Sequence, residues 1–149
     1  MNDRDGQSEV VQKLVSAIGQ KLDAATDTAA IGDEKALATL YFDIGKVLVG
    51  ADAGESEVEA VASALAPKSA PPFDLTIENL LNMALFYRTY GNHDVLKNLV
   101  DAISWPKHLE ILERCDTDRA QEFYIRMTRK FEWSRDVLIS KIEDFRPPQ

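Results

Sequence analysis

Apolar residues recur at three- and four-residue spacing along most of the chain, which is the pattern of amphipathic α-helices. The clearest runs follow residue types that cap helices, at Ser8, Thr76, Thr117 and Ser134. No alternating run of β-branched residues bounded by turns is present, so the sequence predicts no strand. The pattern therefore predicts an all-α fold of about eight helices. They are expected to begin near Ser8, Asp33, Ser56, Thr76, Asp94, Ser104, Thr117 and Ser134.

One proline-rich segment, residues 66–72, interrupts this helical pattern. A domain boundary there would leave two halves of about 70 residues, each small for independent stability. We therefore predict an internal link within one domain, residues 8–145, with a disordered tail at 1–7 and another tail at 146–149. Tight turns join the last three helices, residues 104–143, and predict a trihelical, helix-turn-helix-like C-terminal part.

The spacing also predicts which side of the helix after Thr76 faces the core. Its predicted buried stripe consists of Ile77, Leu80, Leu81, Ala84, Leu85 and Tyr87. Gly45 lies in the middle of the second helix, where glycine costs about 1 kcal/mol relative to alanine. Close approach of a neighbouring helix would account for a glycine at this position.

Composition is that of a globular protein, with 45% apolar and 28% charged residues. The single cysteine, Cys115, cannot form an internal disulfide and gives no support to a secreted, stapled fold. No apolar run approaches the roughly 20 residues that span a membrane. Residues 1–8 are polar and lack the apolar core of a signal peptide. We expect a cytoplasmic protein without a membrane partner.

The net charge of −8 argues against broad, nonspecific contact with phosphates. The charge is uneven, because residues 1–72 carry 6 basic and 12 acidic residues whereas residues 73–149 carry 11 and 13. Within residues 119–146 the balance reverses, with 7 basic and 5 acidic residues. Two interpretations stay open for this stretch: solvated helix faces, or a surface for nucleic acid or an acidic partner.

No constellation of catalytic or metal-binding residues stands out. His93 and His108 lack Cys or His partners at ligand spacing, so no metal site is predicted. Cys115 falls on an apolar helix stripe, as core cysteines do. Ser134 is better explained as a helix cap than as a nucleophile, since no nucleophile-elbow motif surrounds it. We predict a protein that is not an enzyme and that has no cofactor and no small-molecule substrate.

Four aromatic residues in the last third of the chain are predicted to be structural anchors. Trp105 and Trp133 each adjoin a serine that could cap a helix, and Phe123 and Tyr124 form a pair between them. Buried aromatic residues of this size remove about 150–250 Å² from solvent, which would fix where these helices begin. The alternative is that one tryptophan is a partly exposed anchor for a partner.

Five segments of the chain, in order and in register, resemble motifs of the N-terminal domain of YhcG-type proteins. Those bacterial proteins carry a predicted PD-(D/E)XK nuclease domain after it. The resemblance covers residues 37–143 and extends from L-Y-F-D-I-G-K to W-S-R-D-V-L. The five segments are Leu40–Lys46, Phe73–Tyr87, Ile103–His108, Glu122–Tyr124 and Trp133–Leu138.

The chain departs from the family pattern at several points. The Ser-His-His that follows tryptophan in the family is Pro106-Lys107-His108 here, so only the second histidine is kept. The family's Met-Arg is Met83-Ala84, and the tryptophan expected before the third helix is missing. The nuclease domain that follows in the family is not found within these 149 residues, which fits either a stand-alone version or one part of a longer protein. The resemblance thus implies a targeting or assembly module rather than a catalyst.

Two functions follow from the resemblance and the charge. The first is a non-catalytic module that binds DNA or helps assemble a nucleic-acid-acting complex. The second is a protein-interaction module, as a homodimer or as the partner of a separately encoded enzyme. For the first function, the basic stretch and the family motif supply the candidate nucleic-acid contacts. These are Lys107, His108, Arg126, Arg129, Lys130 and Arg135.

Overall fold

The computed structural model describes residues 3–26 and 33–144, and these contain seven α-helices, two 3₁₀ turns and no strand. The all-α prediction is confirmed. Residues 1–2 and 145–149, which fall in or next to the predicted tails, lie outside the described residues. The helices are α1 (Asp3–Thr26), α2 (Glu34–Gly50), α3 (Glu55–Leu65), α4 (Ile77–Tyr90), α5 (Trp105–Arg114), α6 (Asp118–Phe131) and α7 (Arg135–Asp144).

Three helix starts follow directly from local side-chain chemistry. Thr76, Thr117 and Ser134 each accept a hydrogen bond from the backbone N–H three residues further on, at 3.2 to 3.3 Å. Each bond satisfies one of the N–H groups that the first turn of a helix leaves without a partner. The predicted caps of α4, α6 and α7 are therefore confirmed.

Two other predicted starts are wrong. The first helix begins at Asp3, so Ser8 lies inside α1 rather than at its cap, and residues 3–7 are helical rather than a disordered tail. The third helix begins after Gly54. Ser56 therefore lies inside α3 rather than at its cap, and its hydroxyl donates to the neighbouring Glu57 carboxylate at 2.6 Å.

The segment 94–103 was predicted to be a helix, but the structure has only a 3₁₀ turn there, at Leu96–Leu99. The His93 imidazole explains the difference. Its Nδ1 accepts hydrogen bonds from Val95 N at 3.2 Å and Leu96 N at 3.1 Å. The ring thereby fixes a turn where the apolar spacing alone suggested a longer helix, and the described residues contain seven α-helices instead of eight.

The most extensive helix contact joins α2 and α4. A Cβ atom on Gly45 would collide with the backbone carbonyl oxygen of Met83 in α4. The absence of a side chain at this position is therefore what allows the two helices to approach so closely. The close approach predicted from a glycine inside α2 is confirmed.

The predicted buried stripe of α4 is confirmed at Leu80 and Ala84 and is wrong at Ile77, Leu81 and Leu85. Ile77, Leu81 and Leu85 are 37 to 44% exposed and form one stripe on the solvent side. Apolar residues occur all around this helix, so their spacing does not select a face. The buried side also carries an amide, a thioether and two aromatic rings that the predicted stripe did not include: Asn79, Met83, Phe86 and Tyr90.

Trp105, at the first position of α5, lies at the centre of an aromatic cluster. Its ring centroid is 5.1 Å from those of Tyr41 and Phe86. Its Nε1 donates to Asn79 Oδ1 at 3.0 Å, so the polar end of the buried indole is satisfied. The cluster ties α2, α4 and α5 together, and Trp105 is a structural residue.

The last three helices contact one another, as the predicted trihelical C-terminal part requires. Glu110 of α5 is only 4% exposed and joins α5 to α7. It accepts from Arg135 Nη2 at 2.9 Å and from Arg114 Nε at 3.1 Å. Burial raises the pKa of Glu110, but the hydrogen bonds from Arg135 and Arg114 outweigh it and the pKa lies below its ordinary value. The carboxylate stays ionised.

Candidate nucleic-acid interface

Helix α6 presents one face to the core and the opposite face to solvent. Its buried side carries Gln121, Tyr124, Ile125 and Thr128. The Gln121 amide donates to the Cys115 carbonyl at 3.0 Å, which fixes the helix against the end of α5. A helix fixed in this way along one side leaves the other side available for a partner.

The solvent side of α6 carries a row of residues spaced four, three and four apart, which places them on one face. We call Arg119, Phe123, Arg126 and Lys130 the basic stripe. Phe123 is 48% exposed. Arg126 pairs with Glu122 at 3.0 Å, whereas neither Arg119 nor Lys130 forms an ion pair with a described residue. The basic stripe therefore combines two cations without acidic partners and one exposed ring.

An aromatic pair lies at the C-terminal end of this stripe. Phe131 is 53% exposed and stacks on Trp133, with 6.0 Å between ring centroids and 20° between ring planes. Lys130 Nζ lies 5.3 Å from the Phe131 centroid, and Lys141 Nζ lies 5.7 Å from the Trp133 centroid. These cation–π contacts hold the two positive charges beside the aromatic pair.

Two of the predicted contact residues, Lys107 and Arg129, lie away from the stripe in a cleft of about 330 Å³. The cleft is bounded by the first residues of α2 and α5 and the last turn of α6. Its charges balance, so it does not favour an anion by charge alone. The charged residues that line it are Asp33, Glu34, Lys35, Lys107, Arg129 and Glu132.

Arg135 is committed to the fold rather than to the stripe. Its guanidinium donates to the Glu110 carboxylate through Nη2 at 2.9 Å and through Nε at 3.3 Å. A phosphate would have to compete with this buried carboxylate for the same donors. The structure thus gives Arg135 an internal partner that the sequence did not indicate.

His108 was predicted to contact nucleic acid, and that prediction is wrong, because the side chain is fully buried. Its Nε2 donates to the Val100 carbonyl at 2.8 Å, and its ring packs against Phe86 and Tyr90. Burial lowers the pKa of His108 to about 4, and the hydrogen bond to Val100 offsets only part of that effect. The imidazole is neutral at pH 7 and belongs to the core.

The four aromatic residues predicted as anchors divide into different environments. Trp105 and Tyr124 are buried, and Trp133 is half-buried against Phe131. Phe123 is 48% exposed, and its ring makes only an edge contact with Tyr124 beside it. The exposure of Phe123 could have been predicted from the sequence, because the residue shares a helix face with three basic residues and lies opposite the buried side of α6.

Two kinds of site are absent from the described residues. No group of three or more histidine, cysteine, aspartate or glutamate side chains there could hold a metal ion. No helix in that part of the chain is both long enough and apolar enough to cross a membrane.

Comparison with known proteins identifies the family. A family model described as the DUF1016 N-terminal domain matches residues 17–145, which is most of the chain. This is the YhcG-type N-terminal domain, so the resemblance found in the five segments is confirmed. No match to a nuclease domain accompanies it. No curated protein and no solved structure matches the chain.

Proposed function

We propose that this chain, which belongs to the DUF1016 N-terminal domain family, is a non-catalytic module that binds nucleic acid through the basic stripe of α6. The observation that carries the proposal is the placement of Arg119, Arg126 and Lys130 on one solvent-facing side of a helix. In YhcG-type proteins this domain accompanies a predicted nuclease domain, and a nucleic-acid-binding module would suit that arrangement.

Because the chain carries a net charge of −8, which repels phosphates, the proposal predicts weak binding. Charges separated by more than a Debye length, about 10 Å at 0.1 M salt, are largely screened, so the stripe acts locally. Three cations that contact phosphates give a slope of log affinity against log salt of about −2 to −3. We expect weak, sequence-independent binding that salt reduces moderately.

The experiment is a fluorescence anisotropy titration with duplex, branched and single-stranded DNA at about 0.05 M salt, carried to about 100 µM protein, the weak end of nonspecific affinity. The test variant is Arg119→Gln/Lys130→Gln, because neither residue forms an ion pair with a described residue. We expect the double variant to lose most of the binding and to reduce the salt slope by about 2.

The matched control is Lys13→Gln/Lys46→Gln, which makes the same change in net charge at exposed positions of α1 and α2. It should bind like the wild type. Two outcomes would refute the proposal: no binding of any DNA over the whole concentration range, or an equal loss of affinity in the control. Circular dichroism should show that both variants keep the helical fold.

A second candidate function is protein interaction, favoured by the exposed row of Ile77, Leu81 and Leu85 on α4. Apolar residues four apart on an exposed helix face are a common way for one helix to dock against another. Light scattering would reveal a homodimer, and Leu81→Glu should dissociate it. A strict monomer at about 100 µM, a concentration at which a micromolar dimer would form, would exclude the homodimer.

A further inference from the structure

We infer that the basic stripe binds unpaired, single-stranded nucleic acid in preference to duplex, with a base stacked on Phe123. The inference rests on the proposed function and names the class of nucleic acid that the same surface takes. It derives from the exposed ring, which phosphate binding alone would not use. Phe123 is 48% exposed and lies between Arg119 and Arg126 along one helix face.

The exposed surface of the Phe123 ring is available for stacking. Its contact within the protein is with Tyr124, at 5.0 Å between centroids and 84° between ring planes, which is an edge contact rather than a stack. Every base has a π-face, and stacking on an aromatic side chain contributes about 1–3 kcal/mol per base. Phe123 is thus placed to receive a base whose flanking phosphates contact the neighbouring arginines.

Duplex nucleic acid would gain little from this ring. Its bases are already stacked on each other and present only their edges in the grooves. A single strand can turn a base outward at low cost, so the aromatic contribution applies to it alone. The cations of the stripe would attract both forms, and the preference would come from Phe123.

Phe131 is less suited to the same role. One face of its ring already stacks on Trp133, and Lys130 Nζ lies 5.3 Å from its centroid. A base would have to compete with these contacts for the ring. The structure therefore assigns the stack to Phe123, with Phe131 and Trp133 forming the boundary of the surface at the end of α6.

The experiment compares anisotropy titrations of one labelled oligonucleotide as a single strand and as a duplex, with the wild type and three variants of Phe123. Phe123→Ala should weaken single-strand binding by about five- to a hundred-fold, the range for loss of one stacking ring, and change duplex binding by less than about two-fold. Phe123→Leu, which keeps apolar area without a ring, should behave like alanine. Phe123→Trp should restore or strengthen binding.

The control is Val137→Ala, which shortens a comparably exposed apolar side chain on α7 and should leave both affinities unchanged. Equal affinity of the wild type for single strand and duplex, or no effect of Phe123→Ala on the single strand, would overturn this inference. If Arg119→Gln/Lys130→Gln still weakened binding in that case, the proposed function would stand. Absence of binding to either form would instead overturn the proposed function itself.

Discussion

The clearest thermodynamic consequence of the fold concerns His108, whose burial should make the protein less stable in mild acid. The side chain has no solvent exposure, and it keeps a single hydrogen bond, from Nε2 to the Val100 carbonyl at 2.8 Å. Aromatic rings of Phe86 and Tyr90 lie against it, 4.8 and 5.5 Å away between centroids. Neither ring offers a charge that would stabilise an imidazolium.

The direction of the effect follows from proton linkage. The pKa of His108 is about 4 in the folded protein, against an ordinary value of 6.5 that applies to the unfolded chain. Below pH 6.5 the unfolded state binds a proton that the folded state does not, so stability falls as the pH drops and the loss is complete below about pH 4. The shift corresponds to about 3 kcal/mol in total, of which about 2 kcal/mol is lost between pH 7 and pH 5.

The assay is urea unfolding of the wild type and His108→Gln at a series of pH values between 7 and 5. Glutamine keeps an amide donor for the Val100 carbonyl but does not titrate. The stability advantage of the wild type over the variant should shrink by about 2 kcal/mol across this range. His93→Gln, which leaves His108 in place, should retain the His108 contribution. A difference between wild type and His108→Gln that does not change with pH would refute the reasoning.

Two further predictions concern packing and a buried charge. Gly45→Ala should destabilise the protein by about 2–3 kcal/mol in urea unfolding, because the new Cβ meets the backbone of Met83 rather than a movable side chain. Gly19→Ala, at a helical position where the new Cβ would meet open space, should instead raise the free energy of unfolding by up to about 1 kcal/mol. Equal effects of the two substitutions would contradict the packing argument. Glu110→Gln should lower the free energy of unfolding by about 1–3 kcal/mol, since the guanidinium of Arg135 loses its buried carboxylate partner. Thermal melts of the variant that coincide with those of the wild type would contradict this.

Features that depend on local chemistry were predictable from the sequence. Thr76, Thr117 and Ser134 cap helices through bonds to residues only three positions away, so the sequence contains both partners. Gly45 was informative because glycine is costly inside a helix, so its presence there indicates a close contact that compensates. The five family segments were recognisable for a similar reason, since their order and spacing lie within the sequence itself.

Features that depend on distant partners were not predictable. His108 was predicted to contact nucleic acid beside Lys107, yet it is buried, and the residue after the 3₁₀ turn, Val100, places its carbonyl against the ring. Glu110 is buried because Arg135, 25 residues later, returns to meet it. Each burial depends on how two segments of the chain pack, which the periodicity of either segment alone does not determine.

The candidate site also depends on distant partners. A count of basic residues in the sequence does not show which of them form ion pairs within the folded chain. Arg135 neutralises buried Glu110 and Arg126 pairs with Glu122, whereas Arg119 and Lys130 have no acidic partner among the described residues.

Stability and binding should therefore separate between variants. Arg135→Gln should lower the midpoint of urea unfolding by an amount worth about 1 kcal/mol and leave the salt dependence of binding unchanged, since its charge is already matched within the fold. Arg119→Gln/Lys130→Gln should reduce the salt dependence of binding and leave the midpoint of urea unfolding unchanged. Both quantities can be measured on the same samples by urea unfolding and anisotropy. If Arg135→Gln weakened binding more than the double variant, the nucleic acid would lie on α7 rather than on the basic stripe.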